Sequence, residues 1–173
     1  RALAQVQECE LALPLLVQVT QAKDDYRDAW IVQGYCELTT ERPEQALASL
    51  EQAYNLDPQK PEIQYFLARS YAAINNHKNA IIFYEYALQN GFQQISEVRR
   101  QIAKSALLSG DADLALQQYE TLTKEPNATI EPYEGYVTAS IALGHSEEAY
   151  FMAKEAVKQW PKDAISHDLL GWA

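Results

Sequence analysis

Alanine returns in this chain at one period. Ala46, Ala80, Ala115 and Ala149 are spaced by 34, 35 and 34 residues. Four places after each stand Leu50, Tyr84, Tyr119 and Ala153, and seven places after each stand Ala53, Ala87, Leu122 and Ala156. Steps of three and four keep residues on one face of an α-helix. Trp30, Gly34 and Leu38 make a second stripe of the same kind just before the first alanine. The small residues Gly34 and Ala46 let two backbones approach closely. A pair of helices that is apolar on one side each cannot bury those sides alone. Copies of the pair must cover one another, and a period of this length marks a stacked array.

Pro58 recurs as Pro161, and Pro126 lies near the matching place in the third unit. With these residues the chain resembles the tetratricopeptide repeat (TPR) family. That family's pattern puts Trp, Leu-Gly and Tyr in a first helix and Ala, Phe, Ala and Pro in a second. The residues that carry the signature here are Trp30, Gly34, Ala46, Ala53, Pro58, Ala80, Ala87, Ala115, Ala149 and Ala156. Gln33 and Glu37 depart from it, standing where the family prefers Leu and Tyr. The fourth unit departs too, with Tyr133, Tyr136 and Val137 in place of Trp, Leu and Gly. The resemblance implies an all-α fold, a right-handed superhelical solenoid of helix hairpins with ten or eleven helices, forming a single domain over 1–173.

An incomplete leading repeat spans 1–26, full repeats span 27–60, 61–94, 96–129 and 130–163, and a truncated fifth spans 164–173. Within the leading repeat, 1–8 reads as a remnant of a first helix and 9–22 as a second. A helix start near residue 10 keeps Pro14 in the first turn, where proline is tolerated. Pro43 and Pro61 open helices for the same reason. Asn76, Asp111, Ser146 and Asp163 are expected to cap helices, and Gly91, Gly110 and Gly144 to mark the ends of others. The chain begins at Arg1 and stops inside a helical pattern, as a piece of a longer protein would.

Composition narrows the function. Apolar residues make up 47% and charged residues 22%, which suits a globular chain. The net charge of −10 argues against nucleic acid, which asks for a basic face. No run of 18 apolar residues is present, so no membrane insertion is expected. Cys9 and Cys36 are too few for a disulfide framework, and Cys36 reads as a small buried hydrophobe. His77 and His145 fall in expected turns, and His167 beside Asp168 lacks metal-ligand spacing. No acid, base or metal constellation is visible, so neither an enzyme nor a cofactor is expected. The expected location is the cytoplasm.

What remains is surface. The resemblance implies a concave groove lined by the first helices, with the fifth and ninth residues of each unit facing it. Those places are Ile31 and Tyr35, Tyr65 and Arg69, Arg100 and Lys104, then Glu134 and Thr138. Leu107 and Leu108 line the far side. The candidate groove residues are Tyr35, Tyr65, Arg69, Arg100, Lys104 and Leu108. They suit a protein or peptide partner with an acidic or carboxylate group, because guanidinium groups fork onto carboxylates and rings give contact area at low entropy cost. The plain alternative is that Arg100 pairs with Glu134 of the next repeat and Arg69 with a neighbouring acid, exposed pairs that add little. The acids Asp28, Glu62, Glu97 and Glu131 also recur once per unit, each in a first helical turn where negative charge is favoured anyway. The two-carboxylate clamp that some TPR proteins use for chaperone tails is incomplete here, with Ile31 and Tyr35 at its Lys and Asn places. The competing function is a structural spacer or self-association module, joined through Leu169, Leu170 and Trp172 at an apolar C-terminal end.

Overall fold

The computed structural model describes residues 2–173, with side chains from Gln5 onward; Arg1 lies outside the described residues. Ten helices follow one another: α1 (Ala2–Ala22), α2 (Arg27–Thr39), α3 (Pro43–Leu56), α4 (Pro61–Ala73), α5 (His77–Gln89), α6 (Ile95–Ser109), α7 (Ala112–Thr123), α8 (Glu131–Ala142), α9 (Ser146–Gln159) and α10 (Ala164–Trp172). No strand occurs among the described residues. They form two compact units, residues 1–93 and 94–173.

Each hairpin is closed by the same turn. A residue one or two places past the end of the first helix sits in the left-handed region: Glu41 (φ 60°), Asn75 (φ 60°), Gly110 (φ 83°) and Gly144 (φ 75°). The next amide then reaches back to the last turn of that helix. Arg42 N–H donates to Glu37 O, Asn76 to Tyr71, Asp111 to Ala106 and His145 to Ser140, each at 2.8 Å. This is the motif that satisfies orphan carbonyls at a helix end. Pro43 and Pro61 stand at the starts of α3 and α4, where a missing N–H has no cost. Asn76, Asp111 and Asp163 accept a hydrogen bond from a backbone amide of the helix that follows. Ser146 does not cap. It is the first residue of α9, and His145 holds the cap position without a side-chain bond.

The repeated columns form the cores. Ala46, Ala80, Ala115 and Ala149 are fully buried, and the residues four and seven places on are all buried with them. In unit 1, Ala46, Leu50, Ala53, Ile63 and Leu67 cluster, with Trp30, Leu38 and Phe66 packed around them. In unit 2, Tyr133, Val137, Ala149, Ala153, Ala156 and Leu169 cluster. Gly34 is required by close approach, since a Cβ there would stand 2.5 Å from Leu50 Cγ. Gly135 has the same role in unit 2, because a Cβ would enter the ring of Tyr119. In the fourth unit the family's glycine place holds Val137, a departure from the pattern. The close approach falls instead at Gly135, against Tyr119 of the preceding repeat.

Two expectations for the leading repeat are corrected. Residues 1–8 are not a separate helix remnant: α1 is continuous from Ala2 to Ala22, with Pro14 inside it. Packing of Leu13 and Leu16 against the partner helix α2 carries the helix through the proline. Cys36 is not a free hydrophobe. It is bonded to Cys9 across the α1–α2 pair, with Cα atoms 4.9 Å apart, a separation that suits a disulfide. The alanine register already made α1 and α2 neighbours, and that was the signal for this pairing.

Candidate functional site

The acids that recur once per repeat all lie in first helical turns, and each one meets a cation. Asp28 meets Arg27 at 2.8 Å and Glu62 meets Lys60 at 3.5 Å. In unit 2, Arg100 bridges two acids: Nη1 donates to Glu97 at 2.7 Å and Nε to Glu131 at 2.5 Å. Lys104 Nζ lies 3.0 Å from the other oxygen of Glu131. The partner of Arg100 is therefore Glu131, not Glu134. Glu131 begins α8 and lies beside α6, whereas Glu134 is a further turn along. Desolvation opposes the charge of Arg100, but its bonds to Glu97 and the charge of Glu131 outweigh it and hold its pKa above the usual value.

This ionic cluster edges a cleft of about 310 Å³, lined by Lys104, Leu107, Tyr119, Glu131, Glu134, Gly135 and Thr138. Tyr119 forms its floor. Burial, then the negative charges of Glu131 and Glu134, push this phenol up to about 12 against the opposing charge of Arg100. Glu134 has no ion pair among the described residues. Leu107 lines the cleft; Leu108 is not among its lining residues and is 70% exposed.

In unit 1 the corresponding face is aromatic. Tyr35 of α2 meets Phe66 of α4 edge to face at 5.5 Å. Tyr65 is buried, with Phe92 stacked on it at 4.4 Å and Tyr84 beside it. The Arg69 guanidinium lies 5.9 Å from the centre of the Tyr65 ring, within cation–π range. Among the described residues no carboxylate forms an ion pair with Arg69.

Sequence reasoning missed a buried polar cluster behind this face. The Thr20 hydroxyl donates to Gln33 Oε1 at 2.9 Å. Gln33 Nε2 donates to Glu37 Oε1 at 3.0 Å and to Ser49 Oγ at 3.1 Å. Ser49 donates to the second Glu37 oxygen at 2.7 Å. All four residues are buried. The departures Gln33 and Glu37 were visible in the sequence, and they were the signal. Their partners come from two other helices, so spacing alone could not supply them.

The histidines do not gather. His77 is the first residue of α5, His145 precedes α9, and His167 Nε2 lies 3.0 Å from Pro161 O. Among the described residues, no group of three His, Cys, Asp or Glu side chains is placed to hold a metal ion.

Comparison with known proteins agrees with this architecture. Two tetratricopeptide repeat models match the chain, one over residues 1–61 and the other over residues 37–104. No curated protein matches it. Among solved structures it is similar to MamA, with 21% identity and a TM-score of 0.80 over 90% of this chain and 91% of that one. It is also similar to YrrB, a TPR protein with an unusual peptide-binding site, at 19% identity and a TM-score of 0.82 over 96% of this chain and 85% of that one. A third is TTC0263, a thermophilic TPR protein of Thermus thermophilus, at 17% identity and a TM-score of 0.60 over 98% and 92%. At these identities the likeness speaks for the fold alone. Hairpins of one period, a buried alanine column, a recurring left-handed turn and matches over residues 1–104 lead to one assignment: the chain belongs to the tetratricopeptide repeat family.

Proposed function

We propose that this chain is a protein-binding scaffold that holds a partner's peptide on the exposed faces of its first helices. The TPR fold is typical of protein–protein interaction scaffolds, and such repeats are generally not enzymes. One observation carries the reading: Arg69 stands over Tyr65 without a carboxylate of its own. A guanidinium placed in this way can fork onto an acidic side chain or a C-terminal carboxylate of a peptide, with Tyr35 adding contact area. In unit 2, Arg100 and Lys104 are already engaged by Glu97 and Glu131. Their contribution is to hold the walls of the cleft beside Leu107, which receives an uncharged or basic side chain. YrrB, similar in fold, has a peptide-binding site.

The test is selection of a displayed peptide library against the purified chain, followed by titration of the best peptide. Arg69→Ala should weaken it by about tenfold or more, the value of a charge-assisted hydrogen bond. Recovery of no peptide, or equal binding by the variant, would remove this reading.

A second reading, self-association at the C-terminal end, draws on Trp172, which is 60% exposed. Leu169 does not share that role: it is fully buried in the unit 2 core, and Leu170 packs against the same cluster. Sedimentation across a concentration series with Trp172→Glu decides this reading. A concentration-dependent species that the variant abolishes would support it.

A further inference from the structure

Helix α1 packs on the rest of unit 1 along α2. Its attachments divide at Pro14. Ahead of the proline, Cys9 is bonded to Cys36, both 4% exposed, and Leu13 packs against this pair as the only other buried residue among residues 5–13. Behind it, buried Thr20 donates to Gln33 inside the polar cluster. Pro14 has no N–H to give to the carbonyl of Glu10, and its ring crowds that carbonyl, so the helix is weakest here. On the outer side Leu11 is 71% exposed. Between this half and α2 runs a cleft of about 240 Å³, with Glu8 and Ala12 on one wall and Val32 and Tyr35 on the other.

We propose that the Cys9–Cys36 bond is a removable latch, and that Pro14 is the hinge of the segment it holds. A dithiol reductant supplies two electrons and two protons. The S–S bond becomes two thiols, and the dithiol closes to its own disulfide. The first half of α1 then leaves α2 and uncovers Cys36 and the covered part of Tyr35, beside Val32, which is exposed already. The second half stays, tied by Thr20 to Gln33. Such a bond persists in an oxidising compartment and is lost in the cytosol, so redox state sets how much of the α2 face a partner can reach. The latch does not depend on what that partner is.

Amide hydrogen exchange on the full chain, with and without dithiothreitol, tests the latch. Reduction should speed exchange over residues 5–13 by about tenfold or more, while 15–22 and 61–93 stay protected. Cys9→Ser should give the same pattern without reductant. Pro14→Ala restores the missing amide and should return protection to 5–13 in the reduced chain. Four outcomes would overturn the proposal: alkylation of both cysteines before reduction, unchanged exchange over 5–13, joint release of 15–22, or exposure of 61–93 along with α1. The last would mean that the bond supports the whole unit and is no latch.

Discussion

The α2–α3 hairpin of unit 1 and the α6–α7 hairpin of unit 2 fill the same column of the repeat differently. In α2 the column holds Gln33 and Glu37, and in α6 it holds Ile102 and Ala106. All four are buried. The apolar pair needs only volume. The polar pair needs a complete set of partners, and it has one, drawn from α1, α2 and α3. A buried carboxylate without a nearby cation is tolerated because each of its oxygens accepts a hydrogen bond. The first hairpin is thereby tied to α1 by chemistry that the third hairpin lacks.

The largest effect expected from breaking this contrast is steric. Gly135→Ala would drive a methyl into the Tyr119 ring and should lower the stability of unit 2 by about 3 kcal/mol in a denaturant titration. Gly34→Ala in unit 1 would meet Leu50 Cγ at 2.5 Å, a shallower overlap than the one with the Tyr119 ring, and should cost less. Alkaline pH gives a related test. The raised phenol of Tyr119 stays protonated in the folded chain after an unfolded tyrosine has ionised. Stability is therefore fully present below pH 10 and falls as the pH climbs from 10 towards about 12, by about 2–3 kcal/mol at one pKa unit per 1.4 kcal/mol. Tyr119→Phe should flatten most of that slope, leaving the part that comes from Tyr71 and Tyr136, whose phenols burial also raises.

The next effect belongs to unit 1. Glu37→Leu strands Ser49 and Gln33 in the interior and should cost about 2 kcal/mol. Changing the whole set (Thr20→Val, Gln33→Leu, Glu37→Leu, Ser49→Ala) should recover most of that loss, because no polar group is then left unpaired. If the single and fourfold variants are equally stable, the cluster is not acting as a set. The smallest effect is a gain. Glu41 holds a left-handed backbone, and Glu41→Gly should raise stability by about 0.5–1 kcal/mol in thermal unfolding.

The sequence was legible where structure is local or repeated. The alanine column could be read because each copy meets the same packing demand. The caps at Asn76, Asp111 and Asp163 could be read because a cap needs only the few residues after it. Pro14 misled for an instructive reason: the local rule against interior proline yielded to Leu13 and Leu16, whose packing on α2 keeps α1 whole. The sequence hinted at the Cys9–Cys36 bond and at the four-residue polar cluster without supplying their partners, and it did not supply the Arg100–Glu131 pair. Each joins side chains from different helices, where angular position on the helix matters and spacing along the chain does not show it. The candidate groove residues were named from the family pattern, but their charge balance emerged only with Glu97 and Glu131 beside Arg100 and, among the described residues, no ion pair to Arg69.

The left-handed turn residues carry a wider lesson. Two of the four are glycines, one is Asn75 and one is Glu41, yet all four close the same ring of atoms at the same length. A census of glycines would count half of the hairpins in this chain. Searches for distant members should weigh the interval between such bends above the residue that occupies them, since the helices on either side dictate the bend and the side chain merely endures it.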